Sequence, residues 1–365
     1  MNVLFLTTHF NTGGITSYIL TLGDALVQAG HKVVVVSGGG DCESMLEKAG
    51  IRHVRANIRT KSEIHPKLLF SLSLINNLIA GEEIQIIHAQ TRVTQVLAAW
   101  VSRMSGVKTV TTCHGFFKPR WFRKVFPCWG EAVIAISKPV AQHLREDLKV
   151  PANKIRLIAN GIDLDRFSVT DDIKRKELRK GLNIGDSPLI GVIARLSDVK
   201  GIDVLIQAMP LVLKSIPSVK LLIAGRGPEE AELKKLTQNL SLMSRVIFKD
   251  TVGKTSDLLG AFDVFAMPSL MEGLGLSVME AQACGIPVVA SRVGGLVDLI
   301  EDGKSGYLVA PGDPAALSER IIKVLEDPSG AQRMAQQARA NIERHFSAGL
   351  MAQKTIEIYE QYSRR

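Results

Sequence analysis

The chain has 365 residues, 46% hydrophobic and 22% charged, with 45 Lys and Arg against 36 Asp and Glu, a net charge of +9 and a pI of about 9.4. That length fits about two globular domains, and the positive balance favours anionic partners: nucleotides, acidic lipid surfaces or, more weakly, nucleic acid. No tight Lys/Arg block beside aromatics is repeated along the chain, which disfavours nucleic acid. Cys42, Cys113, Cys128 and Cys284 show neither a CxxC pair nor zinc spacing and read as reduced cytosolic thiols. No stretch reaches the roughly 18–20 apolar residues of a membrane span. The start, MNVLFLTTHF, lacks the basic n-region and cleavage site of a signal peptide, so a cytoplasmic protein is expected.

In chain order, residues 3–7 form a short apolar run with the pattern of a buried parallel strand. A turn with Gly13 and Gly14 follows, then an amphipathic helix over 15–29 and a strand over 31–37. Helices are predicted over 45–49 and 67–79, a strand over 84–88, a helix over 94–104, and a strand over 108–113 that runs into His114. A strand at 132–137, a helix at 138–148 and a strand at 155–158 complete the first half. Alternation of this kind implies a parallel sheet with helices on both faces. From 167 to 186 the chain becomes charged, and the domain boundary is placed at 160–167.

The second half repeats the pattern. Strands are predicted at 188–194, 219–224 and 246–248, with a helix at 202–215 and another ending near 239. The stretch 262–292, FDVFAMPSLMEGLGLSVMEAQACGIPVVASR, reads as strand, glycine-rich turn, helix from 276 to 284 and strand from 288. Helices over 314–326, 329–346 and 348–362 close the chain.

Several constellations can carry chemistry. Gly273 and Gly275 let a backbone approach an anion closely, and the Leu276 and Ser277 amides open a helix N-terminus. Glu272 and Glu280 flank that point as acceptors for hydroxyls, although either one alone reads equally well as a helix-terminal charge. Arg195 and Lys200 follow a buried strand and suit a leaving group that gains negative charge; taken alone they are ordinary surface cations. Gly225 and Gly227 form half of a dinucleotide fingerprint, with Glu230 where a third glycine would stand, which argues against a plain NAD site. His114 stands at the ligand end of a strand, where it can donate a hydrogen bond or move a proton; His9 is a weaker candidate and His88 is evenly balanced. The basic, aromatic segment 118–129 holds two of the three Trp and suits either an anionic membrane surface or a buried core with a charged rim.

These residues together resemble the retaining glycosyltransferases of the GT-B group, family 4. The E-x7-E motif stands as Glu272 to Glu280, the arginine–lysine motif as GVIARLSDVKG, the glycine motif as IAGRGPE and the domain link as NGIDLDRF. The resemblance covers nearly the whole chain and is strongest from Arg195 to Gly312. It implies an α/β fold of two Rossmann-like domains facing across a cleft. Residues 1–165 would bind the acceptor and 166–345 the nucleotide-sugar donor, with the helix 346–365 crossing back to the first domain. It implies that Arg195 and Lys200 hold the donor diphosphate, that Gly275, Leu276 and Ser277 offer amides to phosphate, and that Glu280 accepts from ribose and Glu272 from the sugar. Gly225, Gly227, Phe248 and Val252 would line the nucleotide pocket, His114 would meet the transferred sugar, and Gly13 and Gly14 would approach the phosphate or acceptor. Many members carry a histidine where Gln90 stands. The resemblance implies neither a metal site nor a cofactor.

The function that follows is transfer of a hexose from a nucleotide diphosphate sugar, a UDP-sugar by default, to a glycan or lipid-linked acceptor hydroxyl, with peripheral contact to an anionic membrane. The rivals are a sugar-nucleotide epimerase of the same architecture and a binding module without catalysis.

Overall fold

The computed structural model describes residues 1–118, 121–250 and 255–363, which form two compact units. Unit 1 comprises Met1–Gly161 and Ala348–Arg365; unit 2 is Ile162–Ser347.

Unit 1 is built on seven parallel strands: β1 (Asn2–Leu6), β2 (Lys32–Ser37), β3 (Arg52–Arg55), β4 (Ile86–Ala89), β5 (Lys108–Cys113), β6 (Ala132–Ala135) and β7 (Ile155–Leu157). Their order is β3-β2-β1-β4-β5-β6-β7. The apolar runs are continuous because both faces are covered. Along β1, Val3 and Phe5 enter one core with Tyr18, Leu22 and Tyr359, while Leu4 and Leu6 enter another with Ile75 and Leu97. β3 escaped sequence reading for the opposite reason. It is an edge strand, RHVR, without a fully buried residue, and edge strands are protected by charge rather than marked by hydrophobicity.

The last helix, Ala348–Ser363, packs on unit 1 rather than on the unit that precedes it in the chain. Tyr359 and His88 are both fully buried, and the Tyr359 hydroxyl lies 2.6 Å from His88 Nδ1. His88 Nε2 meets Thr112 Oγ1 at 2.7 Å. Burial pushes His88 down to about 3, so its ring is neutral and joins the final helix to β4 and β5.

Unit 2 has six parallel strands: β8 (Leu189–Ile193), β9 (Lys220–Ala224), β10 (Val246–Lys249), β11 (Val264–Met267), β12 (Val288–Ser291) and β13 (Tyr307–Val309), ordered β10-β9-β8-β11-β12-β13. The charged stretch at its start forms the helix Asp172–Gly181, capped by the Asp171 side chain. It docks through Arg175 and Arg179, which share the two oxygens of Asp263 at 2.7 and 3.1 Å.

Removing the Tyr359 hydroxyl should leave a buried imidazole nitrogen without its partner. Tyr359→Phe is expected to cost about 1–3 kcal/mol in urea unfolding. An unchanged midpoint would show that the final helix is held by apolar packing alone.

Candidate functional site

Strand order reverses between β8 and β11, and in open α/β sheets the crevice for a ligand opens at the C-terminal ends of the strands at such a point. The loop after β8 carries Arg195 and a short 3-10 turn, Asp198–Lys200. The loop after β11 is the glycine-rich turn 268–275. Lys200 Nζ donates to Glu272 Oε2 at 2.5 Å, and Ser269 Oγ donates to the same oxygen at 3.3 Å. The two ionic side chains are 21% and 13% exposed, so the pair is shielded yet open to a ligand.

Backbone contacts fix this turn from two sides. Leu270 and Met271 N–H both donate to Val199 O, which locks the Lys200 turn to the Glu272 turn. Gly295 N–H donates to Glu272 O at 3.2 Å from the loop after β12. Gly294 lies at φ 49°, and a Cβ there would fall 1.7 Å from Glu272 O. Only glycine permits that approach. Sequence reading missed this pair; the signal available was a Gly-Gly step in the loop after a strand.

The helix Leu276–Ala283 starts at Gly275 without a side-chain cap or an acidic residue in its first turn, so its N-terminus presents unneutralised N–H groups. Glu280 is not at the helix start as expected. It lies one turn further in, and the first-turn stabilisation of its charge does not apply. Burial raises its carboxyl from an ordinary 4.5 to about 7, opposed by the charge of Arg166 in the domain link. Among the described residues no side-chain hydrogen bond to this carboxyl is found, which leaves it ready to accept from a hydroxyl.

Arg195 is exposed and makes no ion pair among the described residues. Gly225 and Gly227 are explained locally: their Cα atoms press on the turn after β8, where a Cβ would meet Ala194 O at 1.9 Å and Leu196 O at 2.0 Å. Leu196 N–H donates to Arg226 O, so the two loops run back to back. Phe248, half-buried at the end of β10, has Lys234 Nζ 5.6 Å over its ring. Val252 lies outside the described residues.

In unit 1 the strand order reverses between β1 and β4. Gly13 and Gly14 are exposed at the N-terminus of the helix Gly14–Gln28, which also lacks a side-chain cap. His114, just after β5, has its Nε2 2.8 Å from Gln90 Oε1. In this arrangement Nδ1 is the ring nitrogen left to a ligand. Burial lowers His114 to about 3 and keeps it neutral, with the Tyr18 ring edge-on at 4.9 Å. Gln90 is 2% exposed and its Nε2 is buried without a partner among the described residues. Its position directly after β4, at the ligand end of the sheet, was the available signal for its role.

A cavity of 760 Å³ in unit 2, lined by Arg292, Glu301, Lys304, Asn341 and Arg344 among others, contains none of the expected site residues.

Comparison with known proteins converges on one family. Residues 174–341 match the family described as Glycosyl transferases group 1, and residues 12–166 match Glycosyltransferase Family 4. A GDP-mannose-dependent monoacylated alpha-(1-6)-phosphatidylinositol monomannoside mannosyltransferase of Corynebacterium glutamicum is 34% identical over 219 residues, which span 57% of this chain and 56% of that protein. The GDP-mannose-dependent alpha-(1-6)-phosphatidylinositol monomannoside mannosyltransferase of Mycolicibacterium smegmatis is 28% identical over 363 residues, 91% of each chain. The crystal structure of Anabaena HepE in complex with UDP and glucose superposes with a TM-score of 0.89 at 23% identity, covering 99% of this chain and 100% of that one, and establishes the GT-B fold.

The Glu280 shift has a signed consequence. The folded state keeps a proton that the unfolded chain releases, so the associated stability is present below about 4.5 and is lost as pH rises toward 7. Glu280→Gln should therefore match the wild type near pH 4 and exceed it by about 1–3 kcal/mol at pH 8 in urea unfolding, the lower end reflecting partial solvent access. Equal stability at both pH values would contradict the burial.

Proposed function

We propose, for a chain that belongs to the GT-B glycosyltransferases of group 1 and family 4, the retaining transfer of a hexose from a nucleoside diphosphate sugar to an acceptor hydroxyl. The observation that carries this reading is the Lys200–Glu272 pair beside an uncapped helix N-terminus at the β8/β11 switch point. It supplies fixed positive charge and a hydroxyl acceptor at one place.

In this reading Arg195, Lys200 and the Leu276 and Ser277 amides take up the charge that grows on the departing diphosphate. Glu272 accepts from a hydroxyl of the transferred sugar while Lys200 holds its other side. Glu280 accepts from the ribose. Gly13 and Gly14 approach the phosphate or the acceptor, and Gly225, Gly227 and Phe248 border the base. His114 meets the transferred sugar. The bond from the anomeric carbon to the diphosphate oxygen breaks as the bond to the acceptor oxygen forms on the same face. The acceptor proton passes to the leaving phosphate oxygen, so neither a protein nucleophile nor a metal ion is assigned a step. Acceptor-dependent release of nucleotide would separate this reading from an epimerase, and donor hydrolysis would separate it from a binding module.

A UDP-sugar is the first expectation for the donor. A GDP-sugar is favoured by the GDP-mannose dependence in the names of two relatives. The acceptor is a glycan or lipid-linked hydroxyl of cell-envelope synthesis, met on the cytoplasmic side.

A thermal-shift panel of UDP-, GDP- and ADP-sugars should raise Tm with one nucleotide class. With that donor, Glu272→Ala is expected to retain nucleotide binding and lower kcat about 100-fold. Arg195→Ala and Lys200→Ala should lower kcat comparably with little change in Tm. The Glu272 and Lys200 effects should be non-additive because the groups touch. Wild-type turnover in Glu272→Ala, or no stabilisation by any nucleotide sugar, would refute the assignment.

A further inference from the structure

The exposed glycines of unit 1, Gly13 and Gly14, take their position from a neighbouring loop. The loop after β2 begins Gly38-Gly39-Gly40-Asp41-Cys42 and lies against the loop after β1, residues 7–13. Main-chain bonds join the two: Gly38 N–H donates to Thr8 O at 3.3 Å, Phe10 N–H to Gly39 O at 3.0 Å and Cys42 N–H to Phe10 O at 3.1 Å. A Cβ on Gly40 would fall 2.2 Å from the carbonyl carbon of Phe10. The Asp41 carboxylate completes the contact, accepting from Thr12 N–H at 2.7 Å and from Thr12 Oγ1 at 3.2 Å. Thr12 immediately precedes Gly13, where the helix Gly14–Gln28 starts without a side-chain cap. The aim of the Gly13 and Gly14 amides is thus set by a loop whose first three residues have no side chains.

A run of glycines has more backbone freedom than any other, so its shape must be fixed from outside. Four side chains in a row do this. Ser37 Oγ accepts from Gly39 N–H at 3.1 Å, and Glu43 Oε1 accepts from Gly40 N–H at 2.6 Å. His53 spans these two acceptors, with Nε2 2.8 Å from Ser37 Oγ and Nδ1 3.3 Å from Glu43 Oε2. Arg55 donates to both Glu43 oxygens, at 2.8 and 2.9 Å. Hydrogen bonding from Arg55 holds the Glu43 carboxyl below its ordinary range, so the group is ionised. His53 and Arg55 are two apart on β3 and share one face of that edge strand. Ser37, His53 and Glu43 stand in the order of nucleophile, base and acid. Ser37 is fully buried, however, and its oxygen is already engaged by Gly39 N–H, so the row is a brace and not a catalytic triad.

We propose that Glu43 is a positioning residue for the turn at Gly13 and Gly14. Clamped by His53 and Arg55, it fixes Gly40, and through Asp41 and Thr12 it sets the direction of amides that suit a phosphate. What those amides meet rests on the transferase reading; the clamp itself follows from hydrogen bonds inside unit 1.

Hydrogen exchange of the full chain, read by mass spectrometry, tests the clamp without turnover. Glu43→Ala is expected to speed exchange over residues 8–14 at least about tenfold, whereas Glu43→Gln, which keeps an oxygen for Gly40 N–H, stays within about threefold of the wild type. Arg55→Ala, at a position 73% exposed, frees the same carboxylate without threatening the fold and should speed exchange there about threefold. Ile75→Val, a truncation in the other core of unit 1, should leave the segment unchanged. With the nucleotide sugar that raises Tm of the wild type, Glu43→Ala should lose about tenfold in kcat of donor hydrolysis at unchanged nucleotide Kd, and Glu43→Gln should restore most of it. Wild-type exchange over 8–14 in both Glu43→Ala and Arg55→Ala overturns the proposal. So does equally fast exchange there in Ile75→Val, or wild-type kcat in Glu43→Ala. The expected exchange pattern in a chain that hydrolyses no nucleotide sugar leaves the clamp standing and refutes the transferase reading.

Discussion

The donor-side geometry depends on a backbone constraint. The turn 268–275 has little regular structure of its own, yet it must aim Glu272, a helix N-terminus and several amides at one place. It does so because Val199 O accepts from Leu270 and Met271, and Glu272 O accepts from Gly295. These bonds tie the loops after three strands, β8, β11 and β12, into one rigid piece. The Lys200–Glu272 ion pair then forms across a junction already fixed by main chain. Long charged side chains normally lose much of an ion pair's worth to rotamer entropy; here the anchors are set before the side chains meet.

Burial gives the ionisable groups different states at neutral pH. His88 and His114 are both held neutral by loss of solvent, but the consequences differ. His88 has partners on both nitrogens and serves as a strut between the final helix and the sheet. His114 has Gln90 on one nitrogen and leaves the other available. Glu280 is raised by the same desolvation, while Glu272 is held beside an ammonium group. Two carboxylates eight residues apart on one strand–turn–helix unit thus meet a ligand in different electrostatic settings.

Much of this was legible in the sequence because its signals are local. Continuous apolar runs mark central parallel strands, and a glycine-rich step between strand and helix marks the ligand end of a sheet. The motif around Glu272 and Glu280 identified the family that the two matched regions establish. Weaker signals belonged to elements that face solvent. β3 lacks a hydrophobic pattern because it is an edge, and the helix Trp121–Val125 is too short and too exposed to carry a period. The glycines of the IAGRGPE motif were legible as a turn, but their reason, contact with the neighbouring loop after β8, was not.

The sequence by itself determined the fold class, the alternation of strands and helices, and the residue types gathered at the ends of β8 and β11, because these follow from periodicity and from backbone freedom at glycine. Only the tertiary structure decided which groups meet. Lys200 is 72 residues from Glu272, Gln90 is 24 from His114, and Tyr359 is 271 from His88. No local pattern encodes such distances; they result from strand order and from the return of the final helix to the first unit. Burial, and with it the charge state of Glu280 and the histidines, is likewise a property of what packs around a residue and not of its neighbours in the chain.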